Sequence, residues 1–311
     1  MTTLIVADDS YSHHLTGWGH PESPERYPVI IEALKKAGLM TDVLPPRLAT
    51  KEEVLLAHTE EYYERVKKEC ALLMDRGLTE GDVEISTGDA PICPESFHIA
   101  KLAAGGILTA IDAIMEGKAT NAFTPVRPPG HHATRSRGMG FCLFNNIAIG
   151  AKYLQEKYGL QRILIADPDI HHGNGTEDII RDDPGIFYFS SHQHPFYPGT
   201  GKDSCEHIHN VPIAPSNTSR QELLKAFGET LPHLMEEFKP QFVLVSMGFD
   251  SHIDDPIGGF NLMTEDFATL TDSLKNIAEK HCDRRLLSTL EGGYNLEALA
   301  NSAVAHVRSL C

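Results

Sequence analysis

The stretch Arg162-Ile-Leu-Ile-Ala166, running straight into Asp167-Pro-Asp169-Ile-His171-His172-Gly-Asn174-Gly175, decides how this chain is read. A short apolar run bounded by polar and glycine residues reads as a buried strand. Asp169 and His171 stand two residues apart at its end, and in an extended segment residues i and i+2 point the same way. A carboxylate and an imidazole can then reach one metal ion. The glycines that follow let the backbone turn sharply and come close to a bound group.

The same pattern recurs outward in both directions. Apolar runs at Leu4–Ala7, Ala122–Val126, Ile186–Phe189, Phe242–Met247 and Leu286–Leu290 alternate with helix-like segments near 24–37, 50–57, 59–74, 95–115, 144–157, 219–238, 264–280 and 295–309. Thr50-x-x-Glu53 and Ser219-x-x-Glu222 read as capping boxes. Ser23-Pro24 reads as a cap before a first-turn proline, and Gly38, Gly117 and Gly159 stand where helices should stop. Alternating β and α units predict an α/β fold, a parallel sheet covered by helices on both faces. Ligands in such folds collect beyond the carboxyl ends of the strands. Four runs do lead into polar clusters there: Arg127-Pro-Pro-Gly-His131-His132, Asp167–Gly175, Gly248-Phe-Asp250-Ser-His252 and Glu291-Gly-Gly-Tyr294-Asn295. With no repeat, low-complexity tract or linker in sight, residues 1–311 are expected to form a single catalytic domain.

The 27 Lys and Arg against 43 Asp and Glu give a net charge of −16. That balance disfavours direct nucleic-acid binding, which wants a basic face. It suits steering of a cationic substrate such as a basic peptide or polyamine, although acidity also simply keeps a protein soluble. The six Cys form no CxxC pair, which points to a reducing compartment and a cytoplasmic location. The N-terminus lacks the basic start and apolar stretch of a signal peptide. No apolar run reads as long enough to span a bilayer, so no membrane partner is expected.

Asp250 is the natural third ligand beside Asp169 and His171. Two carboxylates and one imidazole suit zinc with a position left open, although a strand-end Asp also serves as a helix cap. Of the tandem His131-His132, one could take a proton from an activated water and later protonate a leaving amine. Each needs an orienting partner on its other ring nitrogen, and Asp167 and Asn174 are placed to supply these. Asp167 would stabilise an imidazolium and Asn174 would not. The Tyr294 phenol could donate to a carbonyl oxygen that is becoming an oxyanion. Phe141 and Tyr197 sit in glycine-rich loops, where facing rings would make a narrow slot for an alkyl chain; such rings are also ordinary core.

Together these motifs resemble the zinc-dependent histone deacetylase superfamily, nearest its class II branch and the bacterial histone deacetylase-like amidohydrolases. The matching stretches are Gly19-His-Pro-Glu-Ser-Pro-Glu-Arg26, Arg127–Ala133, Gly140-Phe-Cys-Leu-Phe-Asn-Asn146, Asp167–Thr176, Tyr197–Gly201, Gly248–Pro256 and Leu290–Asn295. The resemblance implies a three-layer arginase-like fold with a central parallel sheet of eight strands. It implies one catalytic Zn2+ held by Asp169, His171 and Asp250, with His132 as general base and acid. It gives His131 the task of holding the water and neutralising charge, and Tyr294 that of polarising the carbonyl. Phe141 and Tyr197 become channel walls, Gly140 offers its carbonyl to the substrate N–H, and Asp89 is a rim carboxylate. A structural K+ is implied at the backbone carbonyls of Asp167, Asp169, His171 and Ser191 and the Ser190 hydroxyl. Relatives selective for acetylated polyamines carry an acidic gatekeeper where this chain has Ile257.

The expected function is therefore that of a hydrolase, a zinc-dependent lysine deacetylase removing acetyl or another acyl group from the ε-amine of a protein or peptide lysine. The alternatives are an acetylpolyamine or other small-amine deacetylase, a non-catalytic acyl-lysine reader, and an arginase-like two-manganese hydrolase.

Overall fold

The computed structural model describes residues 3–311. Among these described residues ten strands occur in chain order: β1 (Leu4–Val6), β2 (Asp42–Leu44), β3 (Val83–Glu84), β4 (Pro91–Ile92), β5 (Asn121–Thr124), β6 (Ile163–Asp167), β7 (Ile186–Gln193), β8 (Ile208–Ile213), β9 (Phe242–Met247) and β10 (Leu286–Leu290). Eight of them form one sheet in the order β2-β1-β5-β10-β9-β6-β7-β8. Every pairing in that sheet is parallel. β3 and β4 make a separate short antiparallel ladder.

Successive strand residues point to opposite faces, and the two cores follow that alternation. Leu4, Val6, Ile163, Ile165, Phe242 and Leu244 pack into one core with Val66, Leu108 and Ile149. Those three come from helices Glu60–Arg76, Ser96–Met115 and Asn146–Tyr158. Ile5, Leu164, Ala166, Val243 and Val245 pack into the other with Leu34, Leu270 and Leu299, from helices Arg26–Lys36, Thr264–His281 and Leu296–Leu310. Both faces are covered, which is why the central strands read as unbroken apolar runs.

The helix ends show where local signals prevail and where they yield. The box at Thr50 forms as expected, with Thr50 and Glu53 each bonding the other's backbone. Gly38, Gly117 and Gly159 all take positive φ just past helix ends. The Ser23-Pro24 cap does not form. That helix begins at Arg26, preceded by Glu25, with no side-chain cap bond. Arg26 and Arg127 draw the Glu22 carboxylate inward, so the preceding residues serve a buried ion pair rather than a helix start. The Ser219 box fails too. Thr218 precedes the helix, Ser219 donates to the Ser216 carbonyl at 2.8 Å, and Glu222 accepts from the Thr218 hydroxyl at 2.6 Å. The expected 219–238 helix also contains a π-helical turn at Ala226–Thr230.

The sequence reading missed the two edge strands β2 and β8 and the helix Asn174–Ile180, which starts inside the Asp167–Gly175 stretch. It also missed that Ser96–Met115 is long and apolar enough, by length and composition, to cross a membrane. In the fold 72% of that apolar window is buried, as befits a core helix that packs against the helix at 146–158.

Candidate active site

The strands that lead into polar clusters, β5, β10, β9 and β6, are neighbours in the sheet. Their carboxyl ends therefore deliver those clusters side by side. Asp167 closes β6, and just beyond it Asp169 and His171 converge with Asp250, which follows β9. All three are buried, with one ligand atom from each within 4.8 Å of the others. His171 Nδ1 lies 3.1 Å from Asp169 Oδ1 and 3.1 Å from Asp250 Oδ2.

The convergence requires two glycines. A Cβ on Gly248 would stand 2.0 Å from Asp169 Oδ2, and one on Gly292 would stand 2.0 Å from Asp250 Oδ2. The Gly292 N–H instead donates to Asp169 Oδ2 at 2.9 Å. Burial and the facing Asp169 carboxylate push the Asp250 carboxyl up to about 7. Two crowded carboxylates respond in this way, and a divalent cation between them would relieve the repulsion. The donor set, its burial and its charge fit zinc. Among the described residues this is the one group of three or more such ligands.

The tandem histidines sit against this group with different partners. His131 Nδ1 lies 3.1 Å from Asp167 Oδ2, and Asp167 is itself braced by the Tyr188 hydroxyl at 2.8 Å. Burial opposes charge on His131, but the Asp169, Asp167 and Glu291 carboxylates outweigh it and raise its pKa well above the usual value. His132 Nδ1 lies 2.8 Å from Asn174 Oδ1. Burial, with His131 and His171 nearby, lowers the His132 pKa well below the usual value. One imidazole is thus biased to be charged and its neighbour to be neutral.

A cavity of about 180 Å³ opens onto this group, lined by Asp89, His132, Gly140, Phe141, His171, Phe196, Tyr197, Ile257 and Tyr294. The Phe141 ring meets Tyr294 edge-on at 6.0 Å, and Tyr197 meets His132 edge-on at 5.2 Å. Tyr294 is half-buried; burial and the Asp250 charge raise its phenol pKa well above the usual value. Ile257 presents an apolar side chain. Gly140 lines the slot, and its carbonyl accepts from the Cys142 thiol at 3.3 Å. Ser190 Oγ lies 2.9 Å from His192 Nδ1, and Ser191 Oγ is buried without a partner among the described residues.

This arrangement of strand ends, ligands and slot matches a known domain: the histone deacetylase domain profile fits residues 20–310. The chain belongs to the histone deacetylase domain family. It is 38% identical over 308 residues to a probable deacetylase of Archaeoglobus fulgidus, covering 96% of this chain and 82% of the relative. It is also 38% identical to the polyamine deacetylase HDAC10 of Danio rerio, covering 99% of this chain but 47% of that longer protein. The crystal structure of the HDA15 HD domain superposes with a TM-score of 0.86 at 31% identity, covering 99% of this chain and 90% of that one. The family identifies the chain as a deacetylase, and its eight-stranded parallel sheet is the one the resemblance implied.

Four residues that support this deacetylase site were not singled out from the sequence. Glu291 is fully buried and accepts from the Gly130 N–H at 2.7 Å and the His131 N–H at 3.1 Å. It thereby ties the end of β10 to the tandem-His turn. Arg26 is also fully buried and donates to the carbonyls of Gly293 at 2.7 Å and Glu291 at 2.6 Å. Its guanidinium lies 5.0 Å from the Tyr294 ring centre. Asp255 accepts from the Tyr294 N–H at 2.7 Å and the Ile257 N–H at 3.0 Å, joining two walls of the slot. Phe196 stacks on His171 at 5.2 Å. Arg26, Glu291 and Asp255 all lie in stretches that carried the family resemblance, which was the available signal. Apart from the Ile257 N–H beside Asp255, their partners lie too far along the chain for spacing to reveal.

Proposed function

We propose that this deacetylase removes acetyl, or another short acyl group, from the ε-amine of lysine. The observation that carries the reading is a slot of about 180 Å³, lined by Phe141 and Tyr197, that reaches His171 of the Asp169, His171 and Asp250 group, with two differently tuned imidazoles beside it. Held by those three residues, a zinc ion would polarise the amide carbonyl and acidify a water. His132 is kept neutral by its surroundings. With Nδ1 committed to Asn174, its Nε2 is the atom free to accept the proton of the attacking water and return it to the leaving amine. His131, held cationic by the Asp169, Asp167 and Glu291 carboxylates, offsets the negative charge that develops as the carbonyl is attacked. Tyr294 keeps its proton and donates it as a hydrogen bond to the same oxygen. Gly140, Phe141, Tyr197 and Ile257 would sheathe the alkyl chain.

The name of the Danio rerio relative suggests acetylated polyamines instead. Ile257 argues against that substrate, because an apolar wall residue gives no counter-charge to a second ammonium. A structural K+ at the carbonyls of Asp167, Asp169, His171 and Ser191 and the Ser190 hydroxyl belongs to the same reading. It is supported by the parallel pairing of Asp167 with Ser190.

The test is hydrolysis by zinc-loaded protein of acetyl-lysine peptides beside acetylspermidine. A higher kcat/KM for the peptide is expected, and a clear preference for acetylspermidine would overturn the lysine reading. Tyr294→Phe should lower kcat by about 10²–10³-fold, the usual loss of one oxyanion donor, with bound zinc unchanged by atomic absorption. Undiminished turnover by that variant would remove Tyr294 from the mechanism.

A further inference from the structure

Asp89 stands at the mouth of the slot with its carboxylate already engaged. Gly140 N–H donates to Oδ1 at 2.8 Å. The Tyr197 hydroxyl reaches across and donates to the same carboxylate, 3.2 Å from Oδ1 and 3.1 Å from Oδ2. Three separate segments are thereby tied together on one side of the opening. They are the turn beside the β3–β4 ladder, the Gly140-Phe141 loop and the loop after β7. Tyr197 is 37% exposed and Asp89 is partly exposed, so this contact is accessible at the mouth of the slot. Burial and the Asp89 charge raise the Tyr197 phenol pKa, so Tyr197 stays a donor throughout the physiological range.

We propose that the Asp89–Tyr197 contact is a latch that determines specificity. It stays closed around a bare acyl-amine chain and must give way for a peptide backbone. The inference rests on the proposed lysine-deacylase reading and refines it. An ionised carboxylate offers about four lone-pair directions, and the Gly140 N–H and the Tyr197 hydroxyl already draw on both oxygens. An acyl-lysine within a peptide brings backbone N–H donors to the rim when its side chain fills the slot. Those donors compete with the Tyr197 hydroxyl for Asp89. The acyl-lysine side chain alone brings no such donors and leaves the Asp89–Tyr197 contact intact. The latch therefore favours an acyl-amine chain without a backbone over acyl-lysine held inside a peptide.

The experiment compares kcat/KM for an internal acetyl-lysine pentapeptide with that for N-butylacetamide, which is the acyl-lysine side chain without a backbone. In Tyr197→Phe the ratio of peptide to small amide should rise about fivefold or more through a lower peptide KM, because Asp89 is released. In the double variant Tyr197→Phe with Asp89→Asn, the gain should largely disappear. A ratio within twofold of wild type in Tyr197→Phe overturns the latch. So does a gain that survives intact in the double variant, since it would then come from slot shape rather than from Asp89. If the wild-type protein hydrolyses neither compound, the lysine reading fails, and the same ratio taken from the dissociation constants of the two compounds still decides the latch.

Discussion

At the scale of single residues, His131 and His132 are chemically alike and only 4.1 Å apart between ring centres, yet their partners divide their roles. The Asp169, Asp167 and Glu291 carboxylates favour the His131 imidazolium, whereas burial with His131 and His171 nearby disfavours charge on His132, and this separates the two basicities. His132 works in its neutral form. Because its pKa is lowered, that form persists into acid solution, and the acid limb of kcat/KM is expected below the ordinary histidine value of about 6.5. Asn174→Asp puts a negative charge 2.8 Å from His132 Nδ1. The cation is then stabilised and the acid limb moves to higher pH. A pH profile of kcat/KM for both proteins measures the displacement, and an unmoved limb would take His132 out of the proton transfer.

At the scale of elements, the site depends on how four strand ends are tied together. Glu291 joins β10 to the turn that follows β5 through two backbone N–H groups. Removing an acceptor while the donors stay buried costs about 1–3 kcal/mol for each donor left unpaired. Glu291→Ala should therefore lower unfolding stability by about 2 kcal/mol or more in urea titrations, and also lower kcat, because the turn carries His131. Glu291→Gln keeps an acceptor oxygen and should recover most of the stability. The elements that carry the chemistry were legible in the sequence because both faces of β5, β6, β9 and β10 are covered, which leaves unbroken apolar runs ending in polar clusters. The edge strands were not. β2 leaves Val43 exposed, and β8 alternates His209, Asn210 and Pro212 with apolar residues, so neither stands out as a run. The metal group and the histidine partners could be read because a strand end fixes which side chains share a face. Glu291 and Arg26 could not, since their partners come from chain positions 160 and 267 residues away. Asp89 was read only as a rim carboxylate, and only the folded loop shows that Tyr197 holds it.

At the scale of the whole molecule, the fold brings two carboxylates together in its interior, and metal and stability are therefore linked. Asp250 has its pKa raised from 3.8 to about 7, chiefly by burial and then by Asp169. A carboxyl whose folded pKa is raised binds its proton more tightly in the native state. Its contribution is fully present below about 4 and is lost as pH rises through about 7. Asp169, held low by His131 and His171 against the effect of burial, works in the opposite sense at more acid pH. The metal-free protein should thus lose stability between pH 4 and pH 7. The zinc-loaded protein should not, because the ion replaces the proton as the partner of both carboxylates. A metal at 100 times its dissociation constant stabilises the native state by about 2.7 kcal/mol. For a chain of this size that corresponds to a rise in Tm on the order of 5 °C. Thermal unfolding with zinc and with chelator, at pH 5 and pH 7.5, should show the larger difference at pH 7.5. Asp250→Asn removes the repulsion together with a ligand. Its metal-free form should be at least as stable as metal-free wild type at pH 7.5, while its zinc-induced rise in Tm should be largely lost. A variant that is less stable without metal yet still gains the full rise would show that Asp250 supports the fold rather than the ion.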